Sequence, residues 1–300
     1  MTDLAVQTNA LSKHYRSLHA VDNLNMQVPH GSIYGFLGRN GAGKTTTLRI
    51  LAGLAKPTSG VAAVLGLDPQ KDTVAILNRT GFVIEKTLIP WMTGDQLLRF
   101  NRGFFPNWSR ERAGRYAEVL EVPMRQRFHR LSMGNKTKLC LLLALAQDPE
   151  LLILDEPTAG LDPVVTDQLL RVLVEDFAGT GRTLLLSSHH LSEVERVADW
   201  IGIIDSGSLK LEARLDDIRG SFRRIRTVGQ NLPTAGETIL TCRISGDTAE
   251  YVVRSQAEAF AAELTAQGAT ILDIETMNLQ ETFLAVAGKE SNHVPVEVLA

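Results

Sequence analysis

The chain has little cysteine and little net charge, and each scarcity excludes a class of protein. Its two cysteines, Cys140 and Cys242, lie far apart in apolar surroundings. We therefore predict reduced, packed thiols of a cytosolic protein and not a disulfide framework. The formal net charge of −3 gives no reason to expect nucleic acid as the main partner.

Long apolar runs are also lacking. The longest, Leu139–Ala146, is far shorter than the roughly 20 residues with which a helix crosses a bilayer. The first residues, Met1–Leu4, have neither a positive flank nor an apolar signal core. We expect no membrane-spanning segment in this polypeptide. Its 300 residues are enough for one large core and a small second domain.

The most informative stretch of the chain, Gly38–Thr46, fits the phosphate-binding pattern G-x-x-x-x-G-K-[ST]. The apolar segment Ile33–Leu37 predicts a buried strand before it, and Leu48–Ala52 predicts a helix after it. Glycines let backbone N–H groups curl towards phosphate, and the helix N-terminus adds its dipole. We predict nucleoside triphosphate binding with Lys44 on the β- and γ-phosphates, Thr45 on Mg²⁺ and Thr46 on the α-phosphate. The full loop set is Gly38, Asn40, Gly41, Ala42, Gly43, Lys44, Thr45 and Thr46.

A carboxylate pair, Asp155 and Glu156, ends the apolar run Leu151–Leu154. Such a run is typical of a central parallel strand that is buried on both faces. We predict that Asp155 holds Mg²⁺, directly or through water, and that Glu156 activates the attacking water as general base. The pair alone would fit a solvated loop start. The upstream phosphate loop and the following segment, Pro157–Pro163, favour the functional interpretation.

The segment Leu131–Asn135 precedes that strand, and Ser132 predicts an N-cap for a helix over Lys136–Gln147. Together with the other motifs, it resembles the L-S-G-G-Q signature loop of ATP-binding cassette (ABC) ATPases. The chain resembles the nucleotide-binding subunit of an ABC transporter over residues 3–212. The family's motifs occur in its order: Tyr15, the phosphate loop, Gly81–Glu85, the signature-like loop, Asp155-Glu156, Ala159–Asp162 and Ser187–His189.

The resemblance implies roles for residues outside the phosphate loop. Tyr15 would stack on adenine, and His189 would contact and sense the γ-phosphate. Ser132, Gly134 and Asp162 would serve the opposite subunit, because in this family two subunits sandwich each ATP head to tail. The implied cofactors are ATP and Mg²⁺. The implied catalytic set is Glu156, His189 and Lys44.

Simpler interpretations stay open for some of these residues. Tyr15 also fits a tyrosine on a strand surface. Asp162 also fits a helix N-cap before Pro163, a favoured pairing that is compatible with the functional role.

Two features depart from the family pattern. Glu85 stands where the family has Gln, but a carboxylate can still reach Mg²⁺, so the predicted metal ligands are Thr45, Glu85 and Asp155. A solvated loop carboxylate is the alternative for Glu85. Met133 and Asn135 replace the first Gly and the Gln of the signature. ABC-2 type transporter ATPases carry both kinds of departure, and the acetoin-utilisation subgroup is the nearest resemblance. We interpret the site as competent.

The predicted fold is α/β: a P-loop NTPase ABC cassette, with a mixed, mostly parallel sheet, over residues 1–215. It includes a helical subdomain at about 86–148. A small C-terminal α+β accessory domain follows over 220–289, and then a flexible tail over 290–300. Leu88–Trp91 would lie at a docking groove for a membrane partner, or alternatively inside a small helical core.

The predicted function is an ATP-binding and ATP-hydrolysing subunit that dimerises on ATP and drives a separately encoded integral membrane permease. The second ATPase subunit would be identical or related, the site of action the cytoplasmic face of the cell membrane, and export favoured over import. Three alternatives stay open. They are a soluble ABC ATPase acting on ribosomes or DNA, the ATPase of a non-transport envelope-sensing complex, and a weakly active nucleotide-binding scaffold.

Overall fold

A computed structural model describes residues 3–84, 88–230, 232–234, 236 and 238–287. Glu85 and the predicted tail over 290–300 lie outside the described residues. The first ten strands, which belong to the cassette, are β1 (Leu4–Tyr15), β2 (Leu18–Leu24), β3 (Gln27–Pro29), β4 (Ile33–Leu37), β5 (Ser59–Val64), β6 (Thr80–Val83), β7 (Leu151–Asp155), β8 (Thr183–Ser188), β9 (Trp200–Asp205) and β10 (Ser208–Arg214).

The helices of the same part lie between these strands. They are α1 (Lys44–Leu51), α2 (Thr73–Leu77), α3 (Gly94–Asn101), α4 (Arg110–Val119), α5 (Met133–Leu145), α6 (Pro163–Phe177), α7 (Leu191–Val194) and α8 (Leu215–Ser221), with a 3₁₀ turn at Phe128–Arg130.

Two sheets form the cassette. The larger has the order β10-β9-β4-β8-β7-β6, with five parallel strands and β10 antiparallel at one edge. The smaller is antiparallel, with β1 pairing β2, β3 and β5. In the parallel sheet β4 lies between β8 and β9, and β7 lies next to β8. The loops after β4, β7 and β8 therefore meet at one edge, where ligands bind in open α/β sheets.

Apolar side chains pack on both faces of the parallel sheet. One face joins the helical subdomain and α6 in a cluster that includes Leu139, Leu154 and Leu170. The other face joins the antiparallel sheet and α1 through residues such as Phe36 and Leu48. Every residue of β4 and β7 is buried, as the continuous apolar runs predict.

The C-terminal part forms a four-stranded antiparallel sheet of order β12-β13-β11-β14. The elements are β11 (Phe222–Val228), β12 (Ile239–Ser245), β13 (Thr248–Arg254), α9 (Ala257–Ala266), β14 (Thr270–Thr276) and α10 (Leu279–Ala287).

The two helices of this part pack on different partners. α9 covers one face of the C-terminal sheet, where Phe260 packs near Tyr251 and Ile225. α10 packs against α7, α8, β9 and β10 of the cassette and also against β12 of the C-terminal sheet, and its buried Leu279 and Ala285 belong to the cassette core. The division at residue 220 stays a prediction.

Among the described residues, no helix combines the length and the hydropathy of a transmembrane span.

Candidate nucleotide site

The predicted phosphate loop connects β4 to α1. Gly43 adopts a φ of +108° and is the N-cap of α1. A Cβ at Gly43 would clash with the backbone oxygen of Ala20, so glycine is required by space as well as by conformation. Gly41 also has a positive φ, +84°, but a Cβ there would meet no atom within 4 Å. The loop is tightly packed behind and open in front, the shape that a phosphate cradle requires.

A neighbouring turn holds this loop in place. The backbone N–H of Gly207 donates to the carbonyl of Ala42 at 3.0 Å, and the carbonyl of Gly207 accepts from Asp22 N at 2.8 Å. Nothing in the local motif marks Gly207 for this role, because it lies more than 160 residues away in sequence.

Asp155 lies at the end of β7 with both carboxylate oxygens engaged. The Thr45 hydroxyl donates to Oδ2 at 2.7 Å, and the Ser187 hydroxyl donates to Oδ1 at 2.5 Å. Three hard oxygen donors therefore meet beside the phosphate loop, which is the donor chemistry that Mg²⁺ prefers. The residues present fit a magnesium ion, which Thr45 and Asp155 would hold.

Glu156 has a φ of +47°, an uncommon conformation for a residue with a side chain. Its backbone N–H donates to the carbonyl and hydroxyl oxygens of Ser187, at 3.2 and 3.1 Å. Local strain of about 1–3 kcal/mol is often found at functional positions that their surroundings hold in place. Here the residue with the strained backbone extends its carboxylate to Lys44 of the phosphate loop.

The Glu156 carboxylate contacts two of the predicted catalytic residues. Lys44 Nζ lies 3.2 Å from Oε1, and His189 Nδ1 lies 2.7 Å from Oε2. Lys44 also donates to the backbone oxygens of Gly38 and Arg39, at 2.6 and 3.3 Å. Because Lys44 is buried, its charge is fixed at the mouth of the loop by these partners.

Ser132 and Asp162 are helix N-caps, as predicted. Ser132 Oγ accepts from Asn135 N at 3.2 Å at the start of α5, which begins at Met133 and not at Lys136. Asp162 Oδ1 accepts from Val164 N and Val165 N at 3.1 Å, with Pro163 opening α6.

These two caps belong to one exposed surface. A Cβ on Gly134 would lie 3.2 Å from Leu161 Cδ2, so the signature-like turn packs beside the segment that precedes Asp162. Ser132 and Asp162 are both exposed. In the part of the chain that the structure describes, neither is hydrogen-bonded to the phosphate loop.

Tyr15 ends β1 with a ring that is 44% exposed. Lys13 Nζ lies 4.8 Å from the ring centroid, a cation–π contact that helps to fix the ring. The hairpin that carries Tyr15 continues into β2, where Ala20 lies against Gly43. Tyr15 is thus on an element that touches the phosphate loop.

The structure brings Lys44, Thr45, Asp155, Glu156 and His189 into one hydrogen-bonded group, in which Ser187 links Asp155 to Glu156. Glu85 lies outside the described residues. Sequence reasoning gave Ser187 no role, although one signal was available: Ser187 is the next-to-last residue of β8, and the neighbouring parallel strand β7 ends at Asp155. The register pairs these two residues.

The sheet order, the glycine-rich loop and the two carboxylates at the end of β7 define a P-loop ATPase. A family model described as "ABC transporter" matches residues 21–159. A second model, described as "AAA domain, putative AbiEii toxin, Type IV TA system", matches residues 125–195.

Relatives with an assigned function agree with the match to the ABC transporter family model. The bacitracin transport ATP-binding protein BcrA of Bacillus licheniformis is 38% identical over 225 residues, which are 73% of this chain and 72% of the relative. The Nod factor export ATP-binding protein I of Cupriavidus metallidurans is 32% identical over 299 residues, 95% of this chain and 98% of the relative.

Solved structures give the same result. A structure described as the ATP-binding subunit of an ABC transporter superposes with a TM-score of 0.66 at 27% identity, over 72% of this chain and 92% of that one. The chain therefore belongs to the ABC transporter ATP-binding proteins and is an ATPase subunit of that family. The narrower resemblance to the acetoin-utilisation subgroup is not confirmed by these matches.

Proposed function

We propose that the chain hydrolyses Mg·ATP at a site shared by two subunits and passes the resulting motion to a separate membrane permease, in the direction of export. The observation that supports this most strongly is the group formed by Lys44, Thr45, Asp155, Glu156 and His189 at one edge of the parallel sheet.

In this proposal the loop N–H groups and Lys44 bind the β- and γ-phosphates. Thr45, Asp155 and Glu85 would hold Mg²⁺, which would supply positive charge against the triphosphate. Glu156 accepts a proton from water as the water oxygen attacks the γ-phosphorus. The bond to the bridging oxygen breaks, and ADP leaves with the electron pair. His189 then reports whether the γ-phosphate is present, since it already contacts the same carboxylate.

The exposed surface with Ser132, Gly134 and Asp162 would complete the site of a second subunit. Its support is that these residues lie side by side and make no hydrogen bond to their own chain's phosphate loop, in the part that the structure describes. We propose that ATP holds two such subunits together and that hydrolysis releases them. The second subunit is a copy of this chain or a related ATPase.

The helical subdomain is the proposed contact with the permease. Leu88 and Ile89 pack partly against the core, while Trp91 is 67% exposed and Phe104 61% exposed. Exposed aromatic residues of this size are typical of interaction surfaces. Through this contact the chain would lie at the cytoplasmic face of the membrane.

Export is favoured by the assignments of the relatives. These include bacitracin transport, Nod factor export and daunorubicin/doxorubicin resistance in Streptomyces peucetius. Reconstitution of the chain with its permease in vesicles would test the direction, and ATP-dependent uptake towards the ATPase side would contradict it.

Substitution of Glu156 tests the central assignment. We expect Glu156→Gln to bind ATP and to lose roughly 10²–10⁴-fold in turnover, because an amide cannot accept the proton of water. The ATP-bound dimer should then accumulate in size-exclusion chromatography. Glu121→Gln is a matched control, since Glu121 is an exposed glutamate with a similar φ of +50°.

Lys44→Ala separates binding from chemistry. Loss of a charged hydrogen-bond donor costs about 1.5–3 kcal/mol, so ATP affinity by calorimetry should fall by roughly ten- to hundredfold. Near-normal turnover of Glu156→Gln, or unchanged affinity of Lys44→Ala, would show that the assigned roles are wrong.

A further inference from the structure

A group of metal-ligating side chains lies on the β1–β2 hairpin, outside the proposed catalytic group. His14 and His19 are directly paired across the hairpin, and their rings stack with centroids 3.9 Å apart. One ligand atom from each, together with a carboxylate oxygen of Asp22, all lie within 4.8 Å of one another. No other group of three such side chains meets this closely in the described residues.

The donor types select the class of metal. Imidazole nitrogens suit Zn²⁺, Cu²⁺ or Ni²⁺, whereas Mg²⁺ prefers oxygen ligands. Ligand atoms of a tetrahedral zinc stand about 3.3 Å apart, given bonds of about 2.0–2.1 Å. Small side-chain rotations would bring the three ligand atoms from within 4.8 Å of one another to that separation. Two of the three residues, His19 and Asp22, are exposed and have room to rotate.

His14 adds an independent observation. Its Nε2 atom is covered and has no hydrogen-bond partner among the residues that the structure describes. A covered polar atom without a partner costs about 1–3 kcal/mol, and coordination to a metal would offset that cost. The stacking of His14 on His19 does not by itself compensate the Nε2 atom of His14 for its lost hydrogen bond, whereas a bound metal would.

The backbone around the group is held from both sides. His14 N donates to the Thr58 hydroxyl at 3.0 Å, and Asp22 N donates to the carbonyl of Gly207 at 2.8 Å. The ligands therefore project from fixed positions, which lowers the entropic cost of bringing them together around an ion.

We propose that His14, His19 and Asp22 form a binding site for a transition metal of the zinc class. Three protein ligands leave a fourth position for water or a further ligand. The site differs in donor chemistry from the magnesium position beside Thr45 and Asp155, so the two metals do not compete for it.

The position of the site suggests its effect. Tyr15 lies in the hairpin between the two histidines, and Ala20 on the same hairpin lies against Gly43 of the phosphate loop. A bound metal would cross-link the two strands that present Tyr15. Resting on the proposed adenine contact of Tyr15, we expect Zn²⁺ to tighten ATP binding by at least about fivefold, the lower end of typical coupling between sites.

Titration with Zn²⁺ alone tests the site without reference to ATP. Tag-free protein should bind one Zn²⁺ per chain by isothermal calorimetry, and Co²⁺ should give the visible spectrum of a four-coordinate site. His19→Asn and Asp22→Asn should each weaken binding at least tenfold, because even indirect metal contacts are worth about 10–100-fold. His30→Asn and His129→Asn are controls elsewhere on the surface and should bind as the unmodified protein does.

The results that would overturn the metal site differ from those that would overturn the proposed ATPase function. Absence of stoichiometric Zn²⁺ binding, or equal binding by His19→Asn, would remove the site. Loss of binding in His189→Ala alone would place the metal at the catalytic group. ATP affinity is then measured with and without Zn²⁺ for the unmodified chain and for His19→Asn, so that direct effects of zinc on phosphate cancel. Failure of ATP binding without any zinc would count against the proposed function and not against the metal site.

Discussion

Glu212 places a carboxyl group inside the cassette, where only a few polar atoms surround it. The residue is 1% exposed, and its Oε1 accepts from Tyr34 Oη at 2.5 Å and from Gln27 N at 2.9 Å. Its Oε2 has no hydrogen-bond partner within the described part of the chain. Burial raises the pKa of Glu212 to about 7, against the lowering effect of the two donors. The pKa of Tyr34 is also raised, by burial first and by Glu212 second.

This raised pKa predicts a pH-dependent stability. The folded chain holds the proton at Glu212 more tightly than the unfolded chain, whose pKa lies near 4.5. The contribution to stability is therefore fully present below pH 4.5 and is lost as the pH rises through about 7. The upper bound of the loss is about 3 kcal/mol, at 1.36 kcal/mol for each pKa unit.

Glu212→Gln tests this linkage, because an amide oxygen can accept the same two hydrogen bonds but does not titrate. Urea unfolding between pH 4.5 and 8 should give a flatter stability curve for the variant than for the unmodified chain. An amide NH₂ at the Oε2 position finds no hydrogen-bond acceptor among the described residues, so a constant offset between the two stability curves is expected and does not bear on the test. Parallel curves would show that Glu212 does not titrate in this range.

Local elements were largely predictable, because each has a short-range signature. The strand, glycine loop and helix of the phosphate site occur where the pattern places them, at β4 and α1. The caps at Ser132 and Asp162 also follow from residue type. The start of α5 was predicted three residues too late, because Ser132 caps a helix that begins at once and includes Met133.

Contacts between distant elements were not predictable in the same way. The ion pair of Lys44 with Glu156 and the support of Ala42 by Gly207 depend on strand order, which no local pattern contains. The strain at Glu156 was equally hidden, because most glutamates avoid positive φ. The family resemblance supplied the roles of the motifs, whereas these supporting contacts required coordinates.

A buried contact between α4 and α6 joins the helical subdomain to the parallel sheet. The hydroxyl of Tyr116 donates to Asp176, and Arg115 Nη1 lies 3.2 Å from the same carboxylate. Burial, with help from Asp176, raises the pKa of Tyr116 to about 12, so the hydroxyl stays protonated and donates. The tyrosine ring and the carboxylate are both buried.

A double-mutant cycle on Tyr116→Phe and Asp176→Asn should measure this contact. We expect a coupling energy of about 1.5–3 kcal/mol in urea unfolding, the range for hydrogen bonds to charged groups. Glu175→Gln is the control, since Glu175 is exposed and its pair with Arg115 is worth at most about 1 kcal/mol. Additive effects of the two buried substitutions would mean that the helical subdomain is held by packing alone.

At the scale of the whole molecule, the C-terminal part is joined to the cassette by polar and apolar contacts. Arg224 on β11 forms ion pairs with Glu250, Glu275 and Glu281, the last at 2.9 Å on α10. The network ties α10 to the C-terminal sheet, while the apolar side of α10 packs on the cassette. α10 therefore couples two parts that the sequence predicts as separate domains.

Leu279→Ala tests whether this coupling contributes to the stability of the cassette. Leu279 is fully buried at the start of α10, within the cassette core cluster. All three tryptophans, Trp91, Trp108 and Trp200, lie in the cassette, so their fluorescence follows cassette unfolding and not that of the C-terminal sheet. Truncation of a buried leucine costs about 2–5 kcal/mol, and we expect the tryptophan-monitored transition to lose at least about 2 kcal/mol.

Leu284→Ala is the matched control on the same helix, because Leu284 is 62% exposed. Its effect should stay within about 0.5 kcal/mol, as for most surface substitutions. ATP affinity below the transition should be the same in both variants, since neither residue belongs to the nucleotide site. If the C-terminal part folds as an independent domain, Leu279→Ala will leave the tryptophan transition unchanged. In that case the packing of α10 against β9 adds nothing to the stability of the cassette, and the chain can be divided at residue 220 without loss.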